Sequence, residues 1–531
     1  MSIVILSIRA DYWENFQILP SDLEFIYNHL LELETPRTPH ELLKALISER
    51  IRQEVENLKD QQASGGTVYL PKNQYQVGQQ LSFANLDWKS GSVKSIRTGN
   101  NPELPPFQVI DVQFDDSENK LFAAGLENHK LNELVDIKLD DPLLNEGFIL
   151  KKYGDLLSSR LTNFLQSVPE LVRIAGKWFP RALLVDVNIG HLNLAEAVLE
   201  MANGGPLTTQ AILEQIDLPT DVNNKLTEFS LNLSLQEDGR FDEVGPSGEI
   251  LWFLRRLEPE GVRNIPIYLK FNPVEINEEN IKDLRTSIQN DVIDELENED
   301  ISKDDLDHLT ISLIFPHWRS GTLPLSNRVS KLLPTAYESP RVQFTFVDRD
   351  TNQKISAWVA RSSKYVYGLQ EWYKANGLFP GCLVNIQKSK NPGEVIIWAE
   401  KRRPKREWIR STLIGADGGM VFTILKQIVA ATYDERMAIA VSDLNALDLL
   451  WENSLKQRIS LEQTVHKIML DLAKLNPRGH VHAIELYAAV NLIRRCPPSV
   501  ILNILSENTW SNYLGDLYFK PEESSQEGNS Q

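Results

Sequence analysis

The stretch ARSSKYVYGLQEWYKANGLFPG, residues 360–381, contains the most concentrated structural signals in the chain. Residues 361–364 predict a tight basic loop, residues 365–368 a short strand, and residues 369–375 a helix that ends before Gly377. Trp372, like Trp358 just upstream, favours a core position, because large aromatic side chains on regular elements are usually buried.

The same alternation of short strands, turns and small helices extends over residues 308–412, which predict seven short strands and two small helices. The predicted strands outside the quoted stretch are residues 310–315, 322–325, 341–347, 355–360, 383–387 and 394–399. A loop is predicted at residues 316–321 and a second small helix at residues 326–333.

Four short motifs in this segment match a known DNA-binding fold. They are Leu323-Pro324-Leu325 before a helix, Trp358 in a strand, Tyr365-Val366-Tyr367-Gly368-Leu369 before Trp372, and Gly377-Leu378 followed by Pro380-Gly381. With them the segment, about a fifth of the chain, resembles the B-three DNA-binding pseudobarrel of plant transcription factors and of some bacterial restriction enzymes. The resemblance implies that two loops grip the major groove of duplex DNA, at residues 316–321 and 361–364.

Side chains in and near the two loops have the donors that DNA recognition requires. Arg319 and Arg361 can make bidentate contacts to guanine, while other polar groups can reach phosphate or base edges. Residues 401–406 contain five cations, which favours a phosphate contact and a solvated surface about equally. The predicted DNA-contacting residues are His317, Trp318, Arg319, Ser320, Arg328, Lys331, Arg361, Ser363, Lys364, Lys401, Arg402 and Arg403.

The charge distribution indicates one basic segment in an acidic protein. The chain of 531 residues has a formal net charge of -18. Residues 308–412 contain 17 Lys and Arg against 7 Asp and Glu, a net charge of +10, so the other residues carry -28. Because binding to DNA rests on phosphate neutralisation by Lys and Arg, this segment is the expected DNA contact.

An acidic module precedes it. Residues 192–201, 207–216 and 222–235 predict three helices, and residues 239–245 and 249–254 predict two strands. The Pro206-Leu207-Thr208-Thr209 start and the Arg240-Phe241 and Val244-Gly245 pairs resemble the winged HARE helix-turn-helix modules that accompany chromatin, RNA polymerase and restriction proteins. Residues 181–258 contain 5 Lys and Arg against 13 Asp and Glu, which favours a protein-binding or purely structural role. Asn223 and Asn224 keep direct DNA reading open as the alternative.

The length predicts three to five domains, and the fold class is multidomain α+β. Capping boxes at Ser21/Glu24 and Thr38/Glu41 predict two N-terminal helices. The predicted divisions are an N-terminal helical region (1–64), a small SH-three-like β-barrel (65–135), a helical connector (136–180), the winged module (181–260), a solvated acidic linker (261–307), the basic pseudobarrel (308–412), a C-terminal helical and winged module (413–520) and a disordered tail (521–531).

None of the candidate catalytic or metal-binding motifs in the sequence has the residues or the spacing that such a site requires. The glycine-rich residues 415–419 lack the Lys-Ser/Thr of a phosphate loop, so a turn is predicted there. His480 and His482 with Glu485 have no metal-ligand spacing, and Cys496 between Arg495 and Pro497 favours a packed position. We therefore predict no enzyme activity, no cofactor and no metal.

The expected function is non-catalytic binding of duplex DNA through the pseudobarrel loops, with protein partners recruited through the acidic winged modules. The alternative is a protein–protein adaptor or assembly scaffold that does not touch DNA. The first residues lack the features of an export signal, no window resembles a membrane span, and two distant cysteines suit a reducing cytoplasm. The oligomeric state is left open.

Overall fold

The computed structural model describes most of the chain as two compact units. The described residues are 5–6, 11–64, 67–83, 86, 89–102, 104–114, 119–132, 136–137, 141–216, 218, 223–246, 248–297, 306–336, 339–415, 419–456 and 459–522. Unit 1 comprises Met1–Leu184 with Val222–Leu226, and unit 2 comprises Val185–Asp221 with Thr227–Gln531. The described residues form 15 α-helices and several sheets, one of them a curled half-barrel, which agrees with the predicted α+β class.

Unit 1 combines three helices, among its described residues, with a five-stranded sheet whose strands lie side by side in chain order. The interior of this sheet is aromatic, with Tyr69, Phe83 and Phe114 buried. The elements are β1 (Ile5–Leu6), α1 (Pro20–Leu33), α2 (Pro39–Ser64), β2 (Thr67–Val68), β3 (Gln80–Phe83), β4 (Lys89–Thr98), β5 (Gln108–Phe114), β6 (Asn119–Ala124), β7 (Asp136–Ile137), α3 (Glu146–Gln166), β8 (Leu171–Ile174) and β9 (Lys177–Pro180).

One of the two predicted capping boxes is confirmed. The backbone N–H of Thr38 donates to Glu41 Oε2 at 2.8 Å, and the N–H of Glu41 donates to Thr38 Oγ1 at 3.3 Å. The box at Ser21/Glu24 is wrong, because α1 begins earlier, at Pro20. There the N–H of Leu19 donates to the carboxylate of Asp22 at 2.7 Å.

Unit 2 opens with a small module of helix, strand, helix, helix, strand and strand. Its three-stranded sheet has the order β10-β12-β11, and Trp252 at the centre is fully buried. The elements are α4 (Ile189–Met201), β10 (Leu207–Thr208), α5 (Thr209–Leu213), α6 (Asn224–Glu237, most of which belongs to this unit), β11 (Phe241–Glu243) and β12 (Leu251–Leu254). We call this the first module.

A seven-stranded sheet follows, in the order β13-β18-β19-β15-β16-β17-β14, with a large apolar core on its inner side. Alternating burial along β15 shows why these residues form strands, since every second side chain reaches the core. The elements are α7 (Glu260–Arg263), α8 (Glu278–Ile288), β13 (His308–Ser312), α9 (Phe315–Ser320), β14 (Thr322–Pro324), α10 (Asn327–Ser330), β15 (Arg341–Asp348), β16 (Lys354–Ala360), β17 (Tyr365–Tyr367), α11 (Gln370–Ala375), β18 (Leu383–Lys388) and β19 (Glu394–Trp398).

All seven predicted strands are present, and Trp358 and Trp372 are buried as predicted. The difference lies at residues 313–321. The first strand ends at Ser312 rather than residue 315, and the predicted loop at 316–321 is the short helix α9 followed by Gly321.

The rest of unit 2 is a long hairpin and a second small module. We call residues 461–521 the second module. It has the same element order as the first module and an equivalent three-stranded sheet, in which the last strand lies between the other two. The elements are β20 (Lys401–Ile414), β21 (Met420–Ala431), β22 (Ala440–Val441), α12 (Leu444–Lys456), α13 (Leu461–Ala473), β23 (Val481–His482), α14 (Ala483–Val490), α15 (Pro498–Glu507), β24 (Ser511–Gly515) and β25 (Tyr518–Pro521). Strand β20 spans the predicted domain boundary at residue 412, and residues 416–418 and 523–531 lie outside the described residues.

The expected solvated linker is wrong for residues 294–297. Asp294, Glu295 and Glu297 are 1%, 3% and 8% exposed. They are buried because hydrogen-bond donors from distant segments surround them, including the guanidinium of Arg495 at 2.5 Å from Asp294 Oδ1. Residues 298–300 of the same acidic run lie outside the described residues.

Candidate nucleic-acid interface

The first predicted DNA-contacting loop lies in the interior of unit 2. His317 is 1% exposed, and its Nε2 lies 2.8 Å from Glu295 Oε2 while its Nδ1 lies 2.9 Å from Thr322 Oγ1. Trp318 donates its indole N–H to the carbonyl of Leu378 at 2.7 Å. Both side chains have internal partners, so neither is positioned to meet a DNA groove.

Arg319, the predicted guanine reader of this loop, forms a two-point ion pair with Asp448 on α12. Its Nε and Nη2 lie 3.2 Å and 2.7 Å from the two carboxylate oxygens, and its guanidinium lies over the ring of Tyr268. Burial opposes ionisation of Asp448, but the hydrogen bonds from Arg319 and Tyr268 hold its pKa below the ordinary value. The neighbouring Ser320 hydroxyl is also buried. The guanidinium donors of Arg319 that would contact guanine therefore bind Asp448 instead.

Two basic residues at the following helix differ in exposure. Arg328 donates from Nη2 to the carbonyl of Gln289 at 2.7 Å and is half-buried, whereas Lys331 is exposed. Of this pair, Lys331 is the one whose side chain lies at the surface.

The second predicted loop lies at the surface. Residues 361–364 form the turn between β16 and β17, and Arg361 and Lys364 are exposed while Ser363 is half-buried. Arg361 donates from Nη1 to the carbonyl of Ser339 at 2.9 Å, so one of its five N–H donors is used beside the start of β15.

The basic run at residues 401–406 is the first part of β20. Lys401, Arg403, Lys405 and Arg406 are exposed. Arg402 is half-buried, with Nη2 2.6 Å from Glu407 Oε2 and its guanidinium 4.7 Å from the ring centroid of Tyr433. The pairing with β21 shifts register between Lys401 and Lys405, at the position of Pro404, which cannot donate to the ladder. The first part of β20 therefore carries four exposed cations.

One face of the hairpin combines cations with exposed apolar groups. Arg406 pairs across the ladder with Ile428, and Trp408 pairs with Lys426, whose Nζ lies 4.9 Å from the centroid of the Trp408 ring. Trp408 and Ile428 are 65% and 68% exposed. Ile409, on the opposite face, is buried. Sequence analysis missed this face, although the alternation of Arg406, Trp408 and Arg410 around Ile409 was a visible signal.

The third helix of a winged module is the element that would read DNA. The third helix of the second module, α15, packs against α8, and seven of its side chains are buried. The N–H of Asn277 donates to Asn503 Oδ1 at 2.9 Å. Helix α15 is therefore covered by the chain itself.

Two of the groups considered for catalysis, His482 and Cys496, are buried. His482 is buried and caps α14, and burial followed by the charge of Arg436 lowers its pKa to about 4. Cys496 is fully buried, and burial raises the pKa of its thiol. Within the described residues, no group of three or more His, Cys, Asp and Glu side chains could hold a metal ion, and no helix combines the length and apolar character needed to cross a bilayer.

Comparisons with protein-family models, with curated proteins and with solved structures found no match.

Proposed function

We propose that this protein binds duplex DNA without catalysis, and that the hairpin of β20 and β21 is its main contact. The observation behind the proposal is the group of exposed cations Lys401, Arg403, Lys405 and Arg406 in a chain that is otherwise strongly acidic. A two-stranded ribbon of this kind has the width that a DNA groove admits, and its cations would neutralise phosphates.

The surface loop at residues 361–364 is proposed as a second contact, with Arg361 toward base edges and Lys364 toward phosphate. The proposal is supported by the seven strands of the one sheet and by the short helices α10 and α11, which lie where the resemblance to a B-three pseudobarrel expects them. His317, Trp318 and Arg319 each have a partner within the protein, which favours a role in stabilising the fold over contact with DNA.

An adaptor function is the second candidate, and the exposed apolar side chains of α4 favour it. Leu194 and Met201, one heptad apart on this helix, are 49% and 87% exposed. They lie in the first module, whose acidic surplus suits a protein partner better than DNA.

The hairpin variant K401Q/R403Q/K405Q tests the DNA proposal. It spares Arg402, which pairs internally, and removes three exposed cations. We expect weaker binding to every duplex sequence, and a logarithmic salt dependence shallower by about 0.9 for each phosphate that is no longer neutralised. Fluorescence anisotropy with a mixed-sequence duplex, titrated from low to physiological salt, measures both quantities.

The matched control is K354Q/K374Q/K474Q, which removes the same charge from exposed lysines elsewhere in unit 2, each paired with a carboxylate. The control should retain the wild-type salt slope. If the two triple variants bind alike, net charge alone explains the affinity. If the wild-type protein binds no duplex, the adaptor function becomes the better account.

A further inference from the structure

A cavity of about 440 Å³ lies beside the exposed ring of Trp408. Its lining combines Trp408 and Ile424 of the hairpin with Leu475 and Pro477, which follow α13. These groups provide an aromatic plane and apolar walls. The volume is sufficient for a planar heterocycle, and the 65% exposure of Trp408 leaves much of its ring open to solvent.

The charged groups that line the cavity favour a neutral ring over a phosphate group as its ligand. Glu435 and Glu485 both line it. Arg410, the lining cation, is already neutralised, since its Nη2 lies 2.9 Å from Glu485 and its Nη1 donates to the carbonyl of Arg436 at 2.9 Å. With Glu485 paired to Arg410, the negative charge of Glu435 repels a phosphate, while carboxylate oxygens accept hydrogen bonds from the ring and amino N–H groups of a nucleobase.

The cations that could hold a DNA backbone lie just outside the cavity. Arg406 precedes Trp408 by two residues on the same face, and Lys426 lies against the Trp408 ring. From Arg406 to Trp408 the extended strand covers roughly 7 Å, a length comparable to one or two nucleotides. A strand held by these cations would bring a base to the indole ring.

We propose that the cavity beside Trp408 binds one unpaired nucleobase, stacked on the indole ring, of the DNA that the hairpin holds. The inference rests on the proposed function and names its preferred substrate, which is a duplex with a base outside the helical stack. Stacking on an aromatic ring stabilises such a base whatever its identity, and a base that is already unpaired costs least to extrude.

The test compares a fully paired duplex with the same duplex containing one bulged 2-aminopurine, using the full-length chain. We expect the bulged duplex to bind at least about fivefold more tightly, and its 2-aminopurine fluorescence to fall on binding as the base stacks on Trp408. W408A should abolish both the preference and the quenching, whereas W408F should retain part of the preference because a phenyl ring still stacks.

V421A is the matched control, since Val421 is a similarly exposed apolar residue of the hairpin that does not line the cavity. It should behave as wild type. Equal binding of the two duplexes by the wild-type protein, or an unchanged preference in W408A, would overturn the inference and leave duplex binding intact. Failure to bind either duplex would overturn the proposed function and this inference together.

Discussion

Glu258 is a buried carboxyl group at the contact between the first module and the seven-stranded sheet. It is 2% exposed, and Arg341 Nη1 lies 3.4 Å from one of its oxygens while bonding Asp242 Oδ2 at 2.5 Å. Burial, followed by the hydrogen bond and negative charge of Asp242, raises the pKa of Glu258 to about 8 against the attraction of Arg341. Arg341 thus contacts both carboxyl groups, and Arg255 Nη2 lies 3.7 Å from Asp242 Oδ1.

Because the pKa is raised by folding, Glu258 makes stability fall as pH rises. Between pH 4.5 and 8 the folded protein keeps a proton that the unfolded chain has released, so the free energy of unfolding decreases through this window. The slope from this group is at most about 1.4 kcal/mol per pH unit. We expect E258Q to abolish this contribution, as measured by chemical denaturation at several pH values.

E249Q serves as the control for E258Q, since Glu249 is an exposed glutamate of the same module. It should follow the wild-type pH profile. An E258Q profile parallel to wild type across pH 5–8 would show that Glu258 is ionised throughout.

Helix α9 shows how a short element depends on its ends. Six residues are too few for a stable helix by propensity alone, so α9 needs its termination and its neighbours. Gly321 ends it with φ +65°, and the carbonyl of Gly321 accepts from the N–H of Leu369 at 2.9 Å. A Cβ at this position would lie 2.6 Å from the backbone nitrogen of Gln370.

We therefore expect G321A to lower the free energy of unfolding by about 2–4 kcal/mol, from left-handed backbone strain plus steric overlap. G377A is the matched control: Gly377 follows α11 with φ +62° and has open space around it, so only the strain of about 1 kcal/mol should appear. Urea denaturation of both variants measures the difference. Equal destabilisation would mean that the backbone near Gln370 moves aside freely.

At the scale of the whole molecule, Arg495 joins three distant parts of unit 2. Its Nη2 lies 2.5 Å from Asp294 and 2.9 Å from Glu295, and the other oxygen of Glu295 contacts His317 of α9. Tyr487 donates its hydroxyl to Asp294 at 2.6 Å. Burial alone would raise the pKa of Glu295, but Arg495 and His317 beside it outweigh burial and hold the pKa low.

Removal of this cation leaves two buried carboxylates without their main partner. We expect R495M to cost about 3–5 kcal/mol of stability and to speed amide hydrogen exchange in residues 294–297 and in α9. R494M is the control, because Arg494 is half-buried and donates from Nη1 to the carbonyl of Ile459 rather than to a buried carboxylate. If R495M is no less stable than R494M, the network does not hold the segments together.

Local pattern was enough to predict most elements of the seven-stranded sheet and of the first module. Strand β15 alternates between core and outside, and Gly377 follows α11 as a helix stop, so each signal lies within a few residues of the element that it marks. The miss at residues 316–321 has a physical cause. Pro316, Ser320 and Gly321 favour a loop locally, but Pro316 falls in the first turn of a helix and Gly321 at its end, both of which a helix tolerates.

The sequence by itself determined most strands and helices of the seven-stranded sheet, the buried positions of Trp358 and Trp372 and the concentration of positive charge in residues 308–412, because periodicity and composition are local properties. Only the tertiary structure decided which charges remain available. Arg319 pairs with Asp448, 129 residues away, and Arg495 with Asp294, 201 residues away, while Lys401, Arg403, Lys405 and Arg406 remain exposed. Burying a charge requires a partner at hydrogen-bond distance, and that distance is set by how remote segments pack rather than by neighbouring residues.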